Sequence, residues 1–136
     1  QVRNGLIPNT QYTVTVGNTL RAYDGTTLSA PHTFSFTTAP FQIAYTYPSD
    51  GDFFVNRSQS IGIYCNTRID TGSVRASLTI SPSVPGYVNL NDESSSFGFV
   101  PFTPIAANTI YTVTVSTGLR TKSGYKTTPS AKNVIP

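Results

Sequence analysis

The chain has no tryptophan and no methionine, one cysteine, one histidine, and charged residues at only 11% of its 136 positions. Each shortage excludes something. A lone Cys65 rules out an intrachain disulfide, so the fold is not framed by cross-links. A lone His32 rules out a zinc site built from several histidines of this chain. It also leaves a nucleophilic Cys65 with a single candidate imidazole base, far away in sequence. The net charge of +3 comes from scattered side chains: Arg3, Arg21, Arg57, Arg68, Arg75 and Arg120 stand apart, and only Lys122, Lys126 and Lys132 come close together. Nucleic-acid binding needs a denser basic stripe than that. No run is apolar enough to span a bilayer as a helix, and none keeps amphipathic helical spacing over three turns.

What remains is rich in Thr and Ser, with ten Gly and ten Pro. That composition suits strands with hydroxyl-bearing outer faces joined by Gly/Pro turns. The chain also writes one passage twice. Leu6-Ile-Pro-Asn-Thr-Gln-Tyr-Thr-Val-Thr-Val16 returns as Ile105-Ala-Ala-Asn-Thr-Ile-Tyr-Thr-Val-Thr-Val115, at an offset of 99 residues. The match continues through Leu20-Arg21 against Leu119-Arg120 and Gly25 against Gly124. Each copy ends in strict alternation, which places Tyr and Val on one face and Thr on the other. A self-match about one small domain long marks a modular array. The expected organisation is therefore residues 1–40 as the C-terminal part of a first module, and 41–136 as a second.

In the first part the spacing predicts strands over Tyr12–Val16 and Thr33–Thr38, with an Asp24-Gly25 turn region between them. Ala39-Pro40 reads as a short linker. In the second part strands are expected over 41–47, 60–66, 73–80, 87–90, 97–102 and 111–115, after turns such as Pro48-Ser-Asp-Gly51 and Ser-Pro or Pro-Gly pairs. By the repeat, residues 131–136 should match His32–Thr37, putting Ile135 in the place of Phe36 and Asn133 in that of Phe34. The last strand is thus expected to be weak or cut short. About seven short strands at this spacing predict an all-β sandwich.

These residues resemble a bacterial immunoglobulin-like domain, the repeat of large bacterial surface and S-layer proteins. Three pieces carry the resemblance. One is Pro48-x-Asp-Gly-x-x-x-Val55-Asn56-x-x-x-Ile-x-Ile63 with Ile69-Asp70-x-Gly-Ser-Val74. The second is Pro101-x-x-Pro-Ile105-x-x-Asn-Thr-x-Tyr-Thr-Val-Thr-Val115, and the third Asp24-Gly25 with Phe34-Ser-Phe-Thr-Thr38. Fibronectin type III is the near neighbour, through Leu-x-Pro-Asn-Thr-x-Tyr, but this chain lacks the tryptophan usual in that core. The resemblance implies an immunoglobulin-like Greek-key sandwich, used outside the cell at its surface as a spacer or assembly module: a stalk, S-layer, filament or adhesin repeat. It implies no catalytic residues, cofactor or metal.

Individual side chains fit that reading. Tyr12 and Tyr111 stand where a tyrosine corner would be. Cys65 falls on the inward face with Ile61 and Ile63. Asp50 and Asp52 flank a turn glycine and offer hard oxygen ligands of the kind calcium takes, although turn-forming Asp explains them as well. Asp92 and Glu93 are adjacent on a polar loop, a poor arrangement for glycoside hydrolysis. Asn56-Arg-Ser58 is formally a glycosylation sequon, read here as chance. Tyr45, Tyr47, Phe53 and Phe54 are expected to pack against the preceding module. The alternative is that Tyr45, Tyr47 or Tyr87 form an exposed glycan platform on an accessory domain of a secreted polysaccharide enzyme. Expected partners are neighbouring modules or copies of the chain, with surface glycans second; neither nucleic acid nor membrane insertion is expected.

Overall fold

The computed structural model describes residues 6–90, 94–127 and 130–134, the last five through their backbone. It divides into two compact units, residues 1–40 and 41–136.

The first unit is a two-stranded antiparallel ribbon, β1 (Gln11–Val16) with β2 (His32–Thr37). Period-two alternation gives it two unlike faces. On one, Tyr12 pairs with Phe36, Val14 with Phe34 and Val16 with His32. On the other, the hydroxyls of Thr13 and Ser35 lie 3.0 Å apart and those of Thr15 and Thr33 3.2 Å.

The described residues of the second unit form seven strands: β3 (Ile43–Tyr47), β4 (Ile61–Cys65), β5 (Leu78–Ser81), β6 (Gly86–Leu90), β7 (Ser96–Pro101), β8 (Tyr111–Val115) and β9 (Ser130–Val134). One sheet has the order β3-β4-β7-β6 and the other β5-β8-β9. Lettered A to G along the chain, the sheets are ABED and CFG, the seven-stranded Greek key of an immunoglobulin constant-type sandwich. Alternation turns Ile61, Ile63 and Cys65 of β4, Phe97 and Phe99 of β7, and Tyr111, Val113 and Val115 of β8 into one buried cluster. Ile63, Val74 and Leu119 have no exposed surface at all.

Two strand expectations need correction. Residues 73–80 do not run as one strand. Thr71–Ser73 form a 3-10 turn and Val74–Ser77 a single helical turn, denoted α1, before β5 begins at Leu78. The Asp70 carboxylate accepts from the Gly72 N–H, and the Ser73 hydroxyl donates back to the Asp70 carbonyl. These short side chains offer the backbone a local turn instead of a ladder. The buried residues of the turn, Val74 and Ser77, are accordingly three apart and not two.

The last strand is also displaced from expectation. Tyr111 pairs with Val134 and Val113 with Lys132, whereas Tyr12 pairs with Phe36 and Val14 with Phe34. The offset of 99 therefore shortens by one residue after the turn, so Val134 takes the place of Phe36 and Lys132 that of Phe34. Ile135 lies outside the described residues.

The register also fixes which loops share an end. Ile61 at the start of β4 pairs with Phe99 near the end of β7, Gly86 at the start of β6 with Pro101, and Tyr111 at the start of β8 with Val134 at the end of β9. The loops 48–60, 82–85 and 102–110 thus meet at the end from which the chain leaves. Ile105 donates its N–H to the Arg57 carbonyl there at 3.0 Å, Arg57 Nε donates to the Ile105 carbonyl, and Phe102 donates its N–H to Pro85.

Gly86 marks the tightest approach in the four-stranded sheet. A Cβ at this position would collide with the Val100 carbonyl oxygen and the Phe99 ring. Gly86→Ala should therefore cost about 1–3 kcal/mol, the usual range for overpacking. It should read as a lower urea midpoint with the slope unchanged.

Candidate functional site

The doubled passage is where the two units can be compared atom by atom. The Tyr12 hydroxyl accepts from the Ile7 N–H at 2.7 Å, and the Tyr111 hydroxyl accepts from the Ala106 N–H at 3.0 Å. Asn9 and Asn108 both sit at φ 51°, a left-handed conformation that Asn tolerates. The Thr10 hydroxyl donates to the Pro8 carbonyl, and that of Thr109 to the Ala107 carbonyl. Beyond the strand, Ala22 donates to the Thr26 carbonyl and Thr121 to that of Tyr125, both at 2.8 Å. Each unit therefore carries the same tyrosine corner and the same return turn.

Their surroundings differ. Tyr111, Val113 and Val115 are buried to 5% exposure or less, while Tyr12, Val14 and Val16 are half-buried. Across from them Phe34 is 47% exposed and Phe36 39%. Among the described residues of the first unit no second sheet covers this apolar face, whereas the second unit, with the same pentapeptide, closes it with the four-stranded sheet.

A second feature lies on the outer face of the four-stranded sheet. Tyr45 stacks on Tyr64 with ring centroids 4.2 Å apart and planes 11° from parallel, a close cross-strand aromatic pair. Tyr64 lies over Gly62, which faces Gly98 across the β4–β7 ladder. Tyr47 flanks this glycine pair on one side and Asn89 on the other. Tyr87 stacks on Phe102 at 6.1 Å. Tyr45, Tyr47 and Tyr87 are all well exposed. Sequence pattern found these three but not Tyr64 or Phe102. Alternation sends Tyr64 outward, yet only the β3–β4 register says that it meets Tyr45.

Phe53 and Phe54 are exposed on the loop 48–60, with Phe54 at φ 59°. Register puts that loop at the end of the sandwich away from Ile43, the start of β3.

Among the described residues the titratable candidates do not assemble into a reactive group. Cys65 is buried, and burial alone pushes its thiol up to about 11. This is the reverse of what a nucleophilic thiolate needs. Because the folded value lies above the unfolded one, the buried neutral thiol stabilises the fold fully below about pH 9. That contribution fades as the pH rises towards 11. Native protein at pH 8 should thus resist alkylation by iodoacetamide, while urea-unfolded protein reacts within minutes. Rapid native labelling would contradict the burial.

The Asp52 carboxylate accepts from the Ser49 N–H at 2.7 Å and so holds its own turn, which Gly51 completes at φ 81°. Asp50 is exposed on the same turn. The Asp24 carboxylate accepts from the side chain and backbone of Thr26, and these hydrogen bonds lower its pKa. The Asn56 carboxamide oxygen accepts from the Ser58 N–H at 3.0 Å. Asp92 and Glu93 lie outside the described residues. Among the described residues no three His, Cys, Asp or Glu side chains gather as a metal site, and no helix is long and apolar enough to cross a membrane. An open recess of about 270 Å³ between β5 and β6 is lined by Leu78, Ile80, Val84, Val88 and Phe99, with Thr79 and Ser83 as its polar members. That lining can bind apolar matter but holds no acid or base.

Comparison with solved structures finds the same fold in S-layer proteins. The S-layer protein rSbsC(31-844) superposes with a TM-score of 0.51 at 13% identity, over 71% of this chain and 13% of that one. The surface layer protein SbsC, domains 1-6, gives 0.51 at 13% identity, over 68% and 13%. The chain thus spans about an eighth of these structures. No curated protein matches it in sequence. The sequence model of the bacterial Ig-like domain matches twice, over residues 1–38 and again over 38–134. With the twice-built tyrosine corner and the ABED/CFG sandwich, that double match makes the chain a member of the bacterial Ig-like domain family.

Proposed function

We propose that the chain is a non-catalytic structural stretch of a bacterial extracellular surface protein, in which residues 1–40 supply the last strands of one module and 41–136 form the next. The repeat of the corner and return turn at matching positions, with each corner strand paired antiparallel to the strand after the turn, carries this reading. Rigid sandwiches in series, joined by a linker as short as Ala39-Pro40, transmit load and hold a distal part away from the cell. The structures that share the fold are of S-layer, or surface layer, proteins, which supports this placement. The buried Cys65 thiol, pushed up to about 11, and the Asp52 carboxylate, engaged by its own turn, support a non-catalytic reading.

Two measurements test the reading. Antibody raised against the chain should label intact source cells without permeabilisation. Labelling only after permeabilisation would refute a surface location. Under single-molecule stretching, residues 41–136 should rupture in one event, releasing on the order of 300 Å at about 3.5 Å per residue. A gradual, featureless extension would refute a load-bearing module.

A second reading draws on the outer tyrosine face. Exposed Tyr45, Tyr47 and Tyr87, with Asn89 beside the glycine pair, offer stacking faces and a polar amide to a neutral glycan. As an accessory carbohydrate-binding domain, the chain would bind on a glycan array and lose that binding in Tyr45→Ala and Tyr47→Ala. An array without signal removes this reading and leaves the first intact.

A further inference from the structure

We propose that the bare backbone of Gly98, at the middle of the outer face of the four-stranded sheet, seats one ring of a neutral polysaccharide. This rests on the glycan reading of that face, and adds where on it the sugar sits and which charge class it belongs to.

Gly98 is a glycine that the fold does not ask for. Three glycines stand within the described strands: Gly62 in β4, Gly86 in β6 and Gly98 in β7. None of them has a positive φ, so backbone conformation requires none. Gly86 leaves no room for a Cβ. At Gly62 a Cβ would come within 3.0 Å of the Tyr64 ring, which lies in its place. At Gly98 a Cβ would meet the Ile61 carbonyl oxygen at 3.4 Å, an ordinary contact, and no other non-neighbouring atom within 4 Å. A glycine inside a strand weakens it, through backbone entropy and the lack of a side chain to pack. Where packing does not demand one, it marks a place that a ligand or another backbone approaches closely.

Register sets what stands around that bare spot. Phe97 and Phe99 turn inward to the core, so Gly98 faces out, between Ser96 and Val100 on its own strand. Across the ladders it meets Gly62 on one side and Asn89 on the other. The Tyr64 ring covers Gly62 and is itself stacked on Tyr45. Tyr47 continues the row beyond Gly62, and Tyr87 pairs with Val100 one row along. Gly62 and Asn89 stand two strand spacings apart, about 10 Å. The result is a shallow seat with peptide backbone as its floor, aromatic rings along one side and the exposed Asn89 carboxamide on the other.

The rim selects the ligand. None of the four strands carries a charged residue. An anionic polymer would find no cation there, and a cationic ligand no carboxylate. A strand of another protein adds at a sheet edge, which here is β3 or β6, and not at the centre. A neutral sugar ring matches what is present. Its C–H faces suit tyrosine rings, and its hydroxyls bond carboxamide and phenol groups. It reaches the backbone only where a side chain is missing.

An array of neutral oligosaccharides and of oligouronates, probed with the chain and its variants, tests the seat. The wild-type chain should bind neutral oligosaccharides and not the oligouronates. Gly98→Thr puts a branched side chain in the seat. It should weaken binding of the best neutral oligosaccharide by about tenfold or more in titration calorimetry. Its urea midpoint should not fall, since a strand takes threonine better than glycine. Asn89→Ala should weaken binding with the midpoint in place. Gly98→Ala, which adds one carbon, decides the case if threonine disturbs the fold. Weaker binding at an unlowered midpoint is expected of it, and equal binding or a lowered midpoint overturns the seat. Undiminished binding by Gly98→Thr overturns it too, as does a preference for oligouronates. If binding is lost in Tyr45→Ala and Tyr47→Ala yet kept in Gly98→Thr, the glycan reading stands and the seat fails. An array without signal removes both.

Discussion

Tyr111→Ala should cost the second unit about 3–5 kcal/mol, the range for deleting a buried aromatic, while Tyr12→Ala should leave the midpoint of that same transition in place. The two tyrosines begin the same pentapeptide and make the same hydrogen bond five residues back. Their difference is the cover. Tyr111 is 5% exposed within a cluster fed by both sheets, so its loss opens a cavity and strips the Ala106 N–H of its acceptor. Tyr12 is half-buried in a two-stranded ribbon, stacked on Phe36 at 5.8 Å, with solvent free to fill its place. Urea denaturation followed by circular dichroism measures the first effect. Amide exchange along β1 and β2 measures the second, as faster exchange in the ribbon alone. Equal destabilisation of 41–136 by both substitutions would mean that the first unit is part of the same cooperative fold. Tyr111→Phe separates the two components. It keeps the ring and removes only the hydroxyl, so the remaining loss of about 1–3 kcal/mol belongs to the unsatisfied N–H.

The fold was legible because its signals are local and periodic. Tyr-Thr-Val-Thr-Val, Ile61-Gly-Ile-Tyr-Cys65 and Phe97-Gly-Phe99 each declare an inner and an outer face by alternation alone. The tyrosine corner was legible because it depends on a short sequence separation. The places where sequence failed share a cause, since each turns on a partner that alternation does not name. The helical turn at Val74–Ser77 looks like a strand until Asp70 and Ser73 are seen to hold the backbone locally. The last strand slips by one position because the return from the turn is one residue shorter in the second unit, and a repeat read at fixed offset cannot detect that. Phe53 and Phe54 follow closely on β3 in sequence, yet the pairing of Tyr47 with Gly62 puts their loop at the end of the sandwich away from Ile43. For the candidate site, sequence named the exposed tyrosines of β3 and β6. It could not place Tyr64 against Tyr45, because register decides that contact.

Neighbouring residues of β4 offer the other large effect. Ile63 has no exposed surface, pairs with Phe97 on one side and Thr46 on the other, and points between the sheets. Ile63→Ala should cost about 2–5 kcal/mol, because the sheets on either side are held by their ladders and cannot collapse into the space. One residue along, Tyr64 points outward over Gly62 and against Tyr45. Tyr64→Ala removes a stacked pair and the cover of a strand glycine, and should cost about 0.5–1.5 kcal/mol. The ratio matters more than either value. If Tyr64→Ala proves as costly as Ile63→Ala, the outer face is structural and its tyrosines are held for packing. If the cost is small and glycan binding is lost with it, the same rings are kept for contact with a ligand. A small cost with no change in binding leaves the face as a solvated surface and the sandwich as a spacer, with its stability set by the two inner faces alone.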